Sequence, residues 1–371
     1  NDQNRYRAYH RQGQRRKNLI PVQVRVMYVK SLKLENFRNY DNLSVEFHPG
    51  VNILIGDNAQ GKTNLIEAIY MMSFAKSFRT RKDRETINFN RDYARIDAVI
   101  AADDEDQPFS MLIKPDSKYI SYDGVKVSKM TELLEKVYLV IFSPEDLKLV
   151  KDSPDRRRKF IDRELSKLKP LYYENLYNYK KVLKQRNAYL KEDNIQTDIL
   201  RIWDYKLAEY GSEIIKKRND FIKKLEEVSS EIHSSITSGK ETLTVEYEAN
   251  IPYGENLREE FLAETEKNLE KDLFQRTTSK GPHKDDLKIC INGVDIRHFG
   301  SQGQQRTAAL SLKLAEIRLV KELTGEDAVL LLDDVLSELD RSRQSYLVNC
   351  LNTVQIFITT TEISEEVADS F

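Results

Sequence analysis

The stretch that decides the fold is Val51-Asn52-Ile53-Leu54-Ile55-Gly56-Asp57-Asn58-Ala59-Gln60-Gly61-Lys62-Thr63-Asn64. Residues 56–63 match G-x-x-x-x-G-K-[ST], the loop whose backbone N–H groups turn inward around phosphates. The run Val51 to Ile55 before it is apolar and β-branched, which predicts a buried strand. After it, Leu65, Ile66, Ala68, Ile69 and Met72 recur at helical spacing. Strand, loop and helix therefore come in the order that sets a phosphate at a helix N-terminus. Gly56 and Gly61 let the backbone turn, and Asn58 and Asn64 belong to the same nucleotide-binding set. Lys62 is placed to reach the β/γ-phosphates, and Thr63 to offer a hydroxyl to Mg²⁺. The expected ligands are ATP and Mg²⁺. A chance glycine turn is the competing reading, and the flanking strand and helix speak against it.

With 371 residues, 40% of them hydrophobic and 32% charged, the chain has room for one large domain or two ordinary ones. The formal net charge is -1, so no global field draws it onto nucleic acid, and any basic surface must be local. Cys290 and Cys350 have no neighbours at metal-ligand spacing and read as reduced thiols of a cytoplasmic protein. No apolar run approaches the ~18 residues of a membrane span. Residues 1–26 carry seven basic residues against one acid, Asp2, with no apolar signal core. They read as an extension without assigned function ahead of Met27, where alternation through Val29, Leu32, Leu34 and Phe37 predicts a strand.

Short strands dominate up to residue 142, with turn signals at Pro49-Gly50 and Gly124. Val137 to Phe142 is a continuous apolar run, expected to be a strand buried on both faces. From Pro144 to about 275 the chain is charged, tyrosine-rich and helical in period, and 256–273 reads as an exposed helix. Strand character returns at Leu287 to Ile291, Leu330 to Leu332 and Ile356 to Ile358. The organisation expected is an α/β head made of 27–143 and 281–371, interrupted by a helical insertion at 144–280.

Two further motifs carry chemistry. Val329 to Leu332 is an apolar strand ending in Asp333-Asp334. A carboxylate at that strand end, Asp333, can share Mg²⁺ with Thr63, and Asp334 can polarise the attacking water. Alone, the pair would read equally well as a helix N-cap. Ser301-Gln302-Gly303-Gln304 opens a helix striped by Ala308, Leu312, Ala315 and Leu319. It is either a second anion site at a helix start or an ordinary serine cap.

These three motifs, in this order, resemble the ABC-type P-loop ATPase heads of the SMC and Rad50 group. Within that group the chain is similar to the RecF family. The similarity rests on Leu34 to Tyr40, Phe142 to Leu147, Gly281 to Leu287 and the Gln304-Gln305-Arg306-Thr307 extension, and runs from Met27 nearly to the C-terminus. The resemblance implies that Arg38 and Asn39 contact phosphate. It implies that Ser301, Gly303 and Gln304 bind the γ-phosphate held by a second subunit, and that Asp340 is the D-loop acid of that seam. It also implies a homodimer formed on ATP, double-stranded and gapped DNA as ligand, mediator partners of RecO and RecR type, and recombinase loading at single-strand gaps. The resemblance implies a DNA-stimulated ATPase, and two departures from the ABC pattern suggest slow hydrolysis. Asp334 stands where a Glu is usual, and Thr359-Thr360-Thr361 stands where a switch histidine is usual. The Q-loop glutamine is missing as well.

Residues 151–190 hold twelve basic residues against five acids, with five tyrosines between them. Lys180, Lys181, Lys184 and Arg186 are the DNA candidates there, to which Arg79 is added from the head. A solvated helix face is the plainer reading of such a run. Arg157 and Arg158 suit the nucleotide seam equally well, and His283 reads as structural before catalytic. Two other classes compete. A transporter ATPase subunit would carry the missing histidine, and a Rad50-like nuclease partner would carry long coiled coils and a C-x-x-C hook.

Overall fold

The computed structural model describes residues 27–102, 105–336, 339–340, 343–344, 346–347 and 354–361. The leader 1–26 and Cys350 lie outside these. The chain divides into two compact units: residues up to Asp146 with those from Val320 onward, and Leu147–Leu319.

In the first unit, β1 (Tyr28–Phe37), β2 (Tyr40–Glu46), β4 (Ala94–Ala102), β5 (Glu105–Lys114), β6 (Ser117–Tyr122) and β7 (Val125–Lys126) form one antiparallel sheet. Its order is β2-β1-β4-β5-β6-β7. Val29, Leu32, Leu34 and Phe37 are all buried although their spacing is not a strict two. A register shift between Val29 and Ser31, and Asn36 at φ 52°, absorb the extra residues. Asp123 and Gly124 both have positive φ, which suits the tight β6–β7 hairpin.

A second, parallel sheet holds β3 (Val51–Ile55), β8 (Leu139–Phe142), β12 (Val329–Asp333) and β13 (Ile356–Thr360) in the order β3-β13-β12-β8. β8, β12 and β13 are buried throughout, as their continuous apolar runs require. β3, expected to be buried, is half-exposed, because among the described residues it pairs with β13 alone and forms an edge. The Gln355 amide stitches the two sheets. It accepts from Val29 N (2.7 Å) and donates to the carbonyls of Val29 (2.8 Å) and His48 (2.9 Å). Helix α1 (Lys62–Phe74) follows the P-loop, and α2 (Thr131–Leu134) precedes β8. Gly61 sits at φ 107°, where a Cβ would lie 2.7 Å from the Asn39 amide nitrogen and 2.9 Å from the Tyr40 hydroxyl.

The second unit contains α3 (Pro154–Leu168), α4 (Pro170–Tyr189), α5 (Thr197–Ile236), α6 (Leu257–Lys267), α7 (Leu269–Gln275) and the start of α8 (Gln302–Thr324). It also holds an antiparallel sheet of β9 (Leu243–Glu248), β10 (Asp286–Ile291) and β11 (Val294–Asp295). β9 breaks the helical run expected to reach 275. Its alternation, with Leu243 and Val245 buried, is short and embedded in charge. β10 pairs with β9 inside the helical block, so 281–319 groups with the helical unit rather than with the head, as the sequence had placed it. The single helix expected over 256–273 is two, divided at Asn268.

Much of the 151–190 charge is spent inside this unit. Arg157 is buried and forks onto Asp286 at 2.6 and 2.9 Å. Arg218 of α5 bonds Asp162 (2.7 Å), Asp285 (2.8 Å) and the Pro282 carbonyl (2.6 Å). Lys167 lies in a fully buried cluster with Glu164, Lys313 and Glu316. Arg186 corrects the DNA assignment. It is 0% exposed and donates to Asp204 (2.7 Å), Asp272 (2.7 Å) and Thr278 (2.9 Å). It continues the stripe of Tyr172, Leu176 and Tyr179, so it faces inward. Lys180, Lys181 and Lys184 are exposed, with Lys180 3.4 Å from Asp162. Arg186→Ala leaves two carboxylates unpaired and should cost about 3–5 kcal/mol in urea unfolding. DNA affinity of the folded variant should be unchanged; weakened DNA binding at full stability contradicts this placement.

Candidate functional site: the P-loop, the strand-end acids and the signature helix

Lys62 is buried against its own loop, its Nζ donating to the carbonyls of Gly56 (2.5 Å) and Asp57 (2.8 Å). These two carbonyls hold the ammonium inside the loop. Asn58 lies exposed in the loop. The Gln60 side chain accepts from Asp57 N at 3.1 Å and braces the turn.

The strand-end acids meet the loop through hydroxyls. Thr63 Oγ1 donates to Asp333 Oδ1 at 2.9 Å. Thr359 Oγ1 donates to the same oxygen at 2.8 Å and accepts from Asp334 N at 2.9 Å. Burial raises the Asp333 carboxyl above its usual value, and the two hydroxyls pull it back. Asp334 is exposed at the end of β12 with φ 53°, a left-handed conformation that is uncommon for a non-glycine residue. Hydroxyl and carboxylate oxygens converging here form a hard donor pair, which fits Mg²⁺. Thr359, which orders both acids, was not singled out from the sequence. Its only signal is its place in the threonine run that ends the last core strand.

Glu67 is the other residue that sequence reasoning missed. It is fully buried on α1 and accepts from Arg38 Nε (2.9 Å) and Nη2 (2.6 Å), from Arg79 (3.4 Å) and from the Ser77 hydroxyl. Arg38 also donates to the Glu85 carbonyl at 2.5 Å. Asn39 donates to Gln60 O (3.3 Å) and accepts from Asn64 (2.7 Å), while Arg79 donates to Asn64 Oδ1 at 2.6 Å. Arg38, Asn39, Asn64 and Arg79 are thus gathered around the first turns of α1. A charged residue inside the apolar run Leu65 to Ile69 was the available signal, since a buried acid needs a partner.

In the second unit, Ser301 and Gln304 form a capping box at the start of α8. Ser301 Oγ accepts from Gln304 N (3.2 Å), and Gln304 Oε1 accepts from Ser301 N (3.0 Å). Ser301 and Gly303 are exposed. The cap reading therefore holds as local structure, and it presents a helix N-terminus to solvent. Asp340 is exposed in the first unit and accepts from Arg343 N at 3.0 Å. His283 is held structurally. Its Nδ1 faces the Tyr179 hydroxyl at 2.7 Å and its Nε2 donates to the Thr278 carbonyl at 3.0 Å. Burial pushes its pKa down to about 4. Cys290 is buried, with no disulfide partner among the described residues.

A P-loop after a parallel strand, an acid pair at the end of another strand of the same sheet and an S-x-G-Q helix start define an ABC-type ATPase head of SMC kind. The family model for the RecF/RecN/SMC N-terminal domain matches residues 28–369. DNA replication and repair protein RecF of Clostridium perfringens (strain 13 / Type A) is 48% identical over 340 residues, 91% of this chain and 94% of that one. Its counterpart in Clostridioides difficile (strain 630) is 47% identical over 345 residues, 92% and 93%. A solved structure of the recombination mediator protein RecF with ATP, in the RecFOR pathway, is 41% identical with a TM-score of 0.86, covering 92% of this chain and 93% of that one. The Smc head domain of Pyrococcus furiosus, at 15% identity and TM-score 0.53 over 93% and 92%, shares the fold. The chain belongs to the RecF family. Among the described residues no helix is long and apolar enough to cross a membrane.

Thr359→Val keeps the side chain's shape and removes the hydroxyl between Asp333 and Asp334. ATP turnover should fall about tenfold, the cost of one lost hydrogen bond at the reacting end. ATP affinity in a filter assay should stay within about twofold, since Lys62 and the loop are untouched. Unchanged turnover contradicts the role given to Thr359.

Proposed function

We propose that this chain is an ATP-driven clamp on double-stranded DNA that helps load recombinase at single-strand gaps, together with RecO- and RecR-type mediators. The observation that carries this reading is the exposure of Ser301 and Gly303 at the N-terminus of α8, where a second protomer can reach them. ATP cradled by one protomer's loop is then capped by the start of α8 of another, the stretch Ser301 to Gln304, with Asp340 at the same seam. Thr63 and Asp333 would hold Mg²⁺, which on binding neutralises charge on the β/γ-oxygens. Arg38 and Asn39 complete the phosphate contacts beside Asn64.

Asp334 accepts a proton from the attacking water. Its carboxylate is one methylene short of the usual Glu, and Thr359 stands in place of a switch histidine. Hydrolysis is accordingly slow; it is stimulated by DNA, and it releases the clamp in the cytoplasm. Lys180, Lys181 and Lys184, exposed on α4, supply phosphate contacts without base readout.

Asp334→Asn should bind ATP and fail to cleave it, so gel filtration with ATP and Mg²⁺ should show a persistent dimer. A variant that stays monomeric or turns ATP over normally sinks the assignment. Replacing Lys180, Lys181 and Lys184 by Glu should weaken duplex binding equally for unrelated sequences. It should also flatten the salt slope by up to about three units, roughly 0.9 per phosphate contact. The ATP-driven dimer should survive; an unchanged slope and affinity would make these lysines a solvated face.

A further inference from the structure

Gln304 is not free to reach outward. Both ends of its side-chain amide are engaged within its own subunit. Oε1 accepts from Ser301 N at 3.0 Å, and Nε2 donates to Glu241 Oε1 at 2.9 Å. Glu241, just ahead of β9, is itself braced. Its Oε2 lies 3.2 Å from His233 Nε2, on a ring that is 0% exposed in α5. The other ring nitrogen lies 3.2 Å from Ser311 Oγ. The path of bonds leaves α8 at Gln304, passes through an acid and a buried ring, and returns to α8 at Ser311.

We propose that Glu241, backed by His233, is the positioning residue of the signature, and that Gln304 is a strut of the helix cap rather than a phosphate ligand. This rests on the reading that Ser301 caps a partner's ATP. A lone surface contact of this kind would contribute little. Here the carboxylate is only 23% exposed and is aimed by a ring with no solvent access, so the entropy of holding it is already spent. Charge favours the same assignment. Turning the Gln304 amide toward a γ-phosphate would leave the Glu241 carboxylate facing an anion with its donor withdrawn. The phosphate contacts then fall to Ser301 Oγ, whose hydrogen remains to donate after it accepts from Gln304 N, and to the N-terminal amides of α8. The long helix α5 is thereby connected to the point where the two subunits close.

A charge relocation in the full-length chain separates strut from ligand. Gln304→Glu sets two carboxylates against each other and should weaken ATP-driven dimerisation at least about tenfold, the worth of a charge-assisted bond. Adding Glu241→Gln reverses the pair. The new carboxylate at 304 still accepts from Ser301 N, and the new amide at 241 donates to it, so dimerisation should return to within about threefold. ATP affinity of the single protomer, read by filter binding, should be unchanged in both. Glu241→Ala, which removes the brace without adding charge, should match the loss seen with Gln304→Glu and serves if that variant fails to fold. A double variant as weak as Gln304→Glu alone would show that position 304 meets the phosphate directly, overturning the strut. Wild-type dimerisation in Glu241→Ala would overturn it too. Ser301→Arg separates the two levels. If it dimerises normally the clamp reading fails and the strut with it; if it blocks dimerisation while the double variant is not rescued, only the strut fails.

Discussion

Asp333 Oδ1 accepts hydrogen bonds from two hydroxyls that arrive on different elements, Thr63 at the start of α1 and Thr359 on β13. The parallel register makes this possible. Asp333 pairs across the sheet with Thr359, and Thr359 with Leu54, so the ends of β12, β13 and β3 lie at one edge. β3 runs on into the P-loop, which places Lys62 and Thr63 beside the acids. The Thr359 hydroxyl then reaches one residue further, to Asp334 N, and fixes the left-handed turn that carries the second acid. Without that knot the loop, the oxygens of Thr63 and Asp333 and the Asp334 carboxylate would have no common frame.

The second unit rests on buried charge. Arg218 joins α5 to Asp162 of α3 and to Asp285, while Arg157 binds Asp286. The stretch Gly281 to Leu287, which marks the family resemblance, therefore supplies partners to a structural network. Such pairs add little net stability compared with apolar packing, yet removing one partner is costly. The same helices offer only part of their charge to solvent.

What was legible in the sequence follows from this physics. The P-loop strand and helix showed because a motif and two periodicities coincide there, and β8, β12 and β13 because buried parallel strands read as apolar runs. The edge position of β3 was not legible, since composition does not say how many neighbours a strand has. Arg186 was misread because a charge count does not tell which face of α4 a residue occupies; the stripe Tyr172, Leu176 and Tyr179 would have told. β9 escaped because its alternation is short and set among charges. Thr359 and Glu67 are single residues whose roles exist only through tertiary contacts, and Glu241 joins Gln304 across a stretch of chain that no motif spans.

The proposed ATP site is completed by two subunits, and mixing two inactive variants tests that directly. Lys62→Met removes the phosphate-facing cation, and Ser301→Arg blocks the cap; each protein alone should lack ATPase activity. In a mixed dimer, the intact loop of the Ser301→Arg protomer meets the intact cap of the Lys62→Met protomer, and one complete site forms. ATP turnover should appear on mixing and rise with the concentration of the minority variant. A mixture as inactive as its components would contradict a shared site.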